Sequence, residues 1–178
     1  MKKILIFLLL STSFSAFADW RLVVKEDDFE ETTNYFIFSD SVEPNKPMSW
    51  PHEKAFAYLY FSCQTKSISM RTTMNNLVNR DTYRGENRYI YINVKVDGEI
   101  FRDVDVRQDF SSDFIYFDKG QTERRMIDAK EVIVQLDHFN QGNRTYSFNM
   151  EGLKPLMVNQ CALPEPKEST WTNWLNSQ

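Results

Sequence analysis

Cysteine and histidine are scarce in this 178-residue sequence, with two of each. Cys63 and Cys161 form no C-x-x-C pair and have no histidine beside them, which removes the spacing that redox or zinc chemistry needs. His52 and His138 each adjoin an acid, Glu53 and Asp137, yet neither accompanies a serine or cysteine nucleophile in a setting such as G-x-S-x-G. Both read as surface or loop histidines, and no catalytic residue, metal or cofactor is expected. Basic residues are outnumbered too, 21 against 25 acids for a formal charge of -4, so nucleic acid and anionic membranes meet no basic surface. Long apolar runs are missing as well. A membrane span needs roughly 20 apolar residues, and the run Ile4 to Leu10 stops at seven.

That short run has its own meaning. Lys2 and Lys3 precede it, and Ala16-Phe17-Ala18 supplies a small-x-small site before Asp19, the pattern of a secretory signal peptide cleaved after Ala18. No cysteine lies near the cut to accept a lipid, so a soluble periplasmic product beginning at Asp19 is expected. Removing residues 1–18 leaves 160, the size of one domain, and moves the formal charge from -4 to -6, with 19 basic residues against 25 acidic. Export also delivers Cys63 and Cys161 to a compartment where disulfides persist, and the two are expected to pair as a structural staple.

Period-two alternation dominates the rest. Ala55, Ala57, Leu59, Phe61 and Cys63 share one face of a strand, with Phe56, Tyr58, Tyr60 and Ser62 on the other. In Tyr89 to Val96 the residues Ile90, Ile92, Val94 and Val96 face inward, and Asp97-Gly98 then turns the chain into Glu99 to Val106. Further strands are expected at Trp20 to Lys25, Asn34 to Ser39, Lys66 to Thr72, Asp113 to Asp118, Glu131 to Asp137 and Arg144 to Glu151, making eight or nine. Only Gln121 to Lys130 reads as helix within the domain. The expected fold is all-β, an antiparallel sandwich or partly open barrel with one short helix and one disulfide. It occupies residues 19–163. Pro164-Glu165-Pro166-Lys167 opens a stiff spacer, and residues 164–178 end in Trp171, Trp174 and Leu175, at the i, i+3, i+4 spacing of a helical stripe. Such a tail either folds back on the domain or serves a partner.

Two surfaces are candidates for binding. One is the acidic stretch Glu26, Asp27, Asp28, Glu30 and Glu31, which lacks the glycine and ligand spacing of an EF-hand and reads as a charged loop. The other is aromatic: Tyr58 and Tyr60 on one strand, Tyr89 and Tyr91 on another, which form a platform if their strands are neighbours. Tyrosine suits protein interfaces, and such rings also stack on sugars, although nothing further in the sequence supports a sugar. Asp103 and Asp105 share a strand face like the paired carboxylates of a glycosidase, an arrangement too common to assign.

Tryptophan at the mature start, the strand Leu59-Tyr60-Phe61-Ser62-Cys63, the turn Val94-Lys95-Val96-Asp97-Gly98, the block Met126 to Leu136, and Gly152-Leu153 before Cys161 together resemble the TagO/VasI-like type VI secretion accessory proteins. The resemblance runs from Trp20 to Cys161, and Ser62 stands where that family often has arginine. It implies a β-rich envelope domain, a Cys63–Cys161 disulfide and a binding role, and it transfers no catalytic residue. The expected function is therefore that of an exported, non-enzymatic protein binding another envelope or secreted protein in an accessory or exclusion-type role. The alternatives are an inhibitor or immunity protein against a cationic peptidoglycan-cleaving enzyme, and a hydrolase with an unrecognised site.

Overall fold

A computed structural model describes residues 20–27, 29, 31–73, 82–84, 87–109, 113–117 and 120–161. The expected signal peptide (residues 1–18), its expected cleavage site and the 164–178 tail lie outside these residues. Among the described residues, ten strands form one antiparallel sheet: β1 (Arg21–Asp27), β2 (Thr32–Phe38), β3 (Ala57–Ser62), β4 (Ser67–Thr72), β5 (Thr82–Arg84), β6 (Asn87–Val96), β7 (Glu99–Asp109), β8 (Phe114–Phe117), β9 (Glu131–His138) and β10 (Gly142–Asn149). Helix α1 (Gln121–Asp128) lies between β8 and β9, and α2 (Leu153–Gln160) follows β10. The strand order is β1-β2-β3-β4-β8-β7-β6-β9-β10. Strand β5 pairs the first residues of β6 where β9 does not reach.

Alternation places the core. On β9 every second residue from Val132 to His138 is buried, and on β6 Ile90, Ile92, Val94 and Val96 are buried. These meet Leu59 and Phe61 of β3, Ile68 and Met70 of β4 and Phe148 of β10 in one cluster. Asp97 and Gly98 both have positive φ, 46° and 91°, the requirement of the type I′ turn that joins β6 to β7. The Asp97 carboxylate also accepts the Lys130 and Glu131 N–H groups at 2.9 Å, tying that turn to the start of β9.

The sheet rolls up without closing. Asn45, in the connection between β2 and β3, donates its N–H to the Thr145 carbonyl (2.9 Å) and accepts the Thr145 N–H on Oδ1 (3.0 Å). It thus gives β10 the ladder partner that a closing strand otherwise supplies. The Trp20 indole donates to the Asn149 carbonyl (3.0 Å), bringing the start of β1 to the end of β10. Helix α1 packs Met126 and Ile127 inward, and the buried carboxylate of Glu123 accepts the Ile68 N–H (2.9 Å).

The structure adds two elements to the sequence expectation. Strand β5 has only three residues, too few for a periodic signal. Helix α2 does carry the i, i+3, i+4 set Leu153, Leu156 and Met157, but Pro155 masks it; proline is tolerated there because it falls in the first turn. The Cys63–Cys161 disulfide is formed, with a Cα–Cα distance of 5.2 Å, and joins the end of β3 to the end of α2.

Candidate functional site

One row of directly opposed residues crosses the outer face of seven strands. Arg21 stands opposite Phe38, Phe38 opposite Tyr60, Tyr60 opposite Ser69, Ser69 opposite Tyr116, Tyr116 opposite Arg107 and Arg107 opposite Tyr89. Direct opposition puts side chains about 5 Å apart, so the row is a continuous ridge of rings interrupted where serine is small. Tyr60 stacks on Phe38 (5.6 Å between centroids) and meets Phe114 edge-on (5.4 Å). The interruption at β4 makes a groove of ≈420 Å³. Its floor is Ser67 and Ser69; Phe36, Tyr60 and Ser62 form one wall, and Tyr116, Arg107 and Tyr89 the other. The Arg107 guanidinium lies 4.7 Å from the Tyr116 ring centroid, a cation–π distance. Arg71 flanks the groove, donating to the Tyr58 hydroxyl (2.9 Å), pairing with Asp113 and covering the Phe114 ring (5.3 Å).

Tyr60 is only 8 % exposed, and burial, with Tyr116 and Tyr58 nearby, pushes its hydroxyl up to about 12 while its hydrogen bond with Ser69 opposes the shift. The phenol therefore stays protonated at neutral pH and serves as a hydrogen-bonding group. Apolar walls, a hydroxyl floor and one guanidinium suit an amphipathic aromatic or anionic group held by stacking and hydrogen bonds.

The four tyrosines singled out in the sequence do not form the expected platform, because β3 and β6 are separated by β4, β8 and β7. The rolled sheet nevertheless brings Tyr60 and Tyr89 to the same groove. Tyr58 sits beside Phe38 and Arg71, while Tyr91 lines a separate polar hollow of ≈180 Å³ with Asp103, Gln135, Asp137 and Asn143. Asp103 thus faces the hollow that Asp137 lines, and Asp105 lines a different one. The register shift near Ile92 and Val94, with Asp103 at φ 51°, breaks the simple alternation that pairs Asp103 with Asp105. Phe36, Phe38, Phe114, Tyr116 and Arg107 were missed by the sequence reading. For the four aromatic residues the signal was an apolar run without polar alternation in Tyr35 to Phe38 and Phe114 to Phe117, as expected of strands covered on both faces; Arg107 carried none.

Of the acidic stretch, Asp28 and Glu30 lie outside the described residues. Asp27 ends β1 opposite Thr32, and Phe29 at the turn is 96 % exposed. Among the described residues no group of three or more His, Cys, Asp or Glu side chains is placed to hold a metal ion.

His138 is not a surface or loop residue. It ends the inward face of β9, 1 % exposed, with Nε2 3.0 Å from the Tyr146 hydroxyl and no hydrogen-bond partner for Nδ1. Asp137 points the other way, so the neighbouring acid does not orient this ring. Burial, then the charge of Arg144, then His52, lowers the His138 pKa to about 4. The ring is neutral when folded, and the unfolded chain takes up its proton first as pH falls. Stability should be intact above the ordinary histidine value near 6.5, fall between 6.5 and about 4, and level off below. The loss is roughly 3 kcal/mol from this one group. Urea titrations at pH 7 and pH 4 check it: the drop should be about that much larger in the wild type than in His138→Gln.

No protein-family model matches this chain, and no curated protein and no solved structure matches it either.

Proposed function

We propose that this chain is an exported bacterial envelope protein that acts by binding another protein in an accessory or exclusion-type role, without catalysis. The observation that carries the reading is the aromatic row on the outer face of the sheet, where half-buried rings of Phe36, Phe38, Tyr58, Phe114 and Tyr116 gather around Tyr60. Rigid aromatic side chains with flanking arginines are the residue types that anchor interfaces, because they bury large apolar area at small entropy cost. Export and a periplasmic location rest on the signal peptide read in residues 1–18. The disulfide is compatible with both, and among the described residues no helix is long and apolar enough to cross a membrane.

The test is a pulldown from envelope extract with the mature chain as bait, followed by binding kinetics with the recovered protein. Tyr58→Ala with Tyr116→Ala should raise the dissociation rate by about 10-fold to 30-fold. A dominant partner indifferent to both changes overturns the assignment of this face. A cationic peptidoglycan-cleaving enzyme as that partner selects the inhibitor role instead. In that case Lys at Asp27, Asp28 and Glu30 should slow association and flatten its salt dependence. Intact mass of periplasmic material beginning at Asp19 checks the exported form.

A further inference from the structure

We propose that the outer-face groove is the docking site of this chain's own C-terminal segment, the residues after Cys161 that carry Trp171, Trp174 and Leu175. That segment starts beside the groove. Cys161 is bonded to Cys63, and Cys63 lies between Ser62 and Thr65, both of which line the groove. The disulfide therefore anchors the segment at the end of the groove, whatever route α2 takes to get there.

The segment is also long enough to lie along the groove. Ten residue steps separate Cys161 from Trp171, a contour of at most about 36 Å. The groove runs from Phe36 on β2 to Tyr89 on β6, five interstrand spacings in the observed strand order, or about 24 Å. The spacer contains Pro164 and Pro166, and proline favours extended backbone. A tether of this length holds the tryptophans at an effective concentration on the order of 1 mM, so a site with an intrinsic Kd of about 0.1 mM is already roughly nine-tenths filled.

The groove lining suits tryptophan chemically. An indole needs apolar contact on its faces and an acceptor for its N–H when buried. Rings of Phe36, Tyr60 and Tyr116 supply the first, and hydroxyls of Ser67 and Ser69 the second. Arg107 adds a cation beside the ring system, and tryptophan is the best cation–π partner. The segment also carries its apolar residues at i, i+3 and i+4, the spacing that puts all three on one side of a helical turn. This inference does not depend on the proposed partner. A partner that uses the same face competes with the segment for it.

The test is NMR on the full mature chain, residues 19–178, with the two indole resonances assigned through Trp171→Phe and Trp174→Phe. Both indoles should show NOEs to ring protons of Tyr60 and Tyr116. In a mixture of labelled and unlabelled protein these NOEs should remain within one molecule. Tyr116→Ala should abolish them and return the indole resonances to the positions of a free peptide of residues 164–178. If that variant does not fold, the wild-type NOEs alone decide. Free-peptide positions in the wild type, NOEs to another part of the domain, or NOEs only between molecules each overturn the proposal.

Discussion

Replacing Cys63 and Cys161 together with alanine should lower the unfolding free energy by about 4.7 kcal/mol in the chain-entropy account of a loop near 100 residues. The bridge spans a sequence separation of 98, so it removes a large share of the unfolded chain's freedom. Its position adds a second effect. Cys161 caps α2, and Leu153 and Met157 of α2 belong to the core. Without the bridge, α2 is held by that packing and by the exposed Lys154–Asp128 ion pair (2.8 Å), which contributes little. Urea unfolding of the double variant, monitored by near-UV circular dichroism, checks the loss. A change below about 1 kcal/mol means that the end of α2 stays in place by packing and the bridge is incidental. A loss of this size is comparable to the net stability of many domains, so unfolded material at 37 °C is the expected outcome.

Phe61→Ala should cost about 3 to 5 kcal/mol, because the ring is fully buried between β2 and β4 and its removal leaves a cavity the sheet cannot close. The informative comparison is with tyrosines of the opposite face. Tyr91 is half-buried, and Tyr91→Ala should cost clearly less than Phe61→Ala. Tyr60 also points outward from β3, yet it is buried by Phe38, Phe114 and Tyr116. Tyr60→Ala should therefore fall close to the Phe61 value. Equal small losses for Tyr60 and Tyr91 in a denaturant series mean that the outer aromatic cluster contributes nothing to stability.

This contrast shows where alternation is a sufficient guide and where it stops. On β6 and β9 one face is core and the other is wet, so the period of two in Ile90 to Val96 and Val132 to His138 assigns burial directly. On β3 the same reading places Tyr60 and Ser62 outward, which is right for direction and wrong for exposure. Burial of that face depends on Phe38, Phe114 and Tyr116, which come from strands distant in sequence. His138 follows the same logic. Its inward phase on β9 was open to anyone extending the alternation one residue past Asp137, but its partner Tyr146 arrives through the β9–β10 hairpin.

By itself the sequence determined the properties that depend on neighbours along the chain. The strand phases of β6 and β9, the Asp97-Gly98 turn and the α1 helix are local, because backbone preference and side-chain period act over a few residues. The disulfide was also determined, since only two cysteines exist to pair. The tertiary structure alone decided the strand order, and with it the groove. A shift from neighbouring strands to an order with β4, β8 and β7 between β3 and β6 leaves every strand's own pattern unchanged. Yet that order is what sets Ser69 between Tyr60 and Tyr116 and brings Arg107 to the opposite wall. Long-range pairing follows from the summed burial of all strands at once, a quantity that no single segment carries.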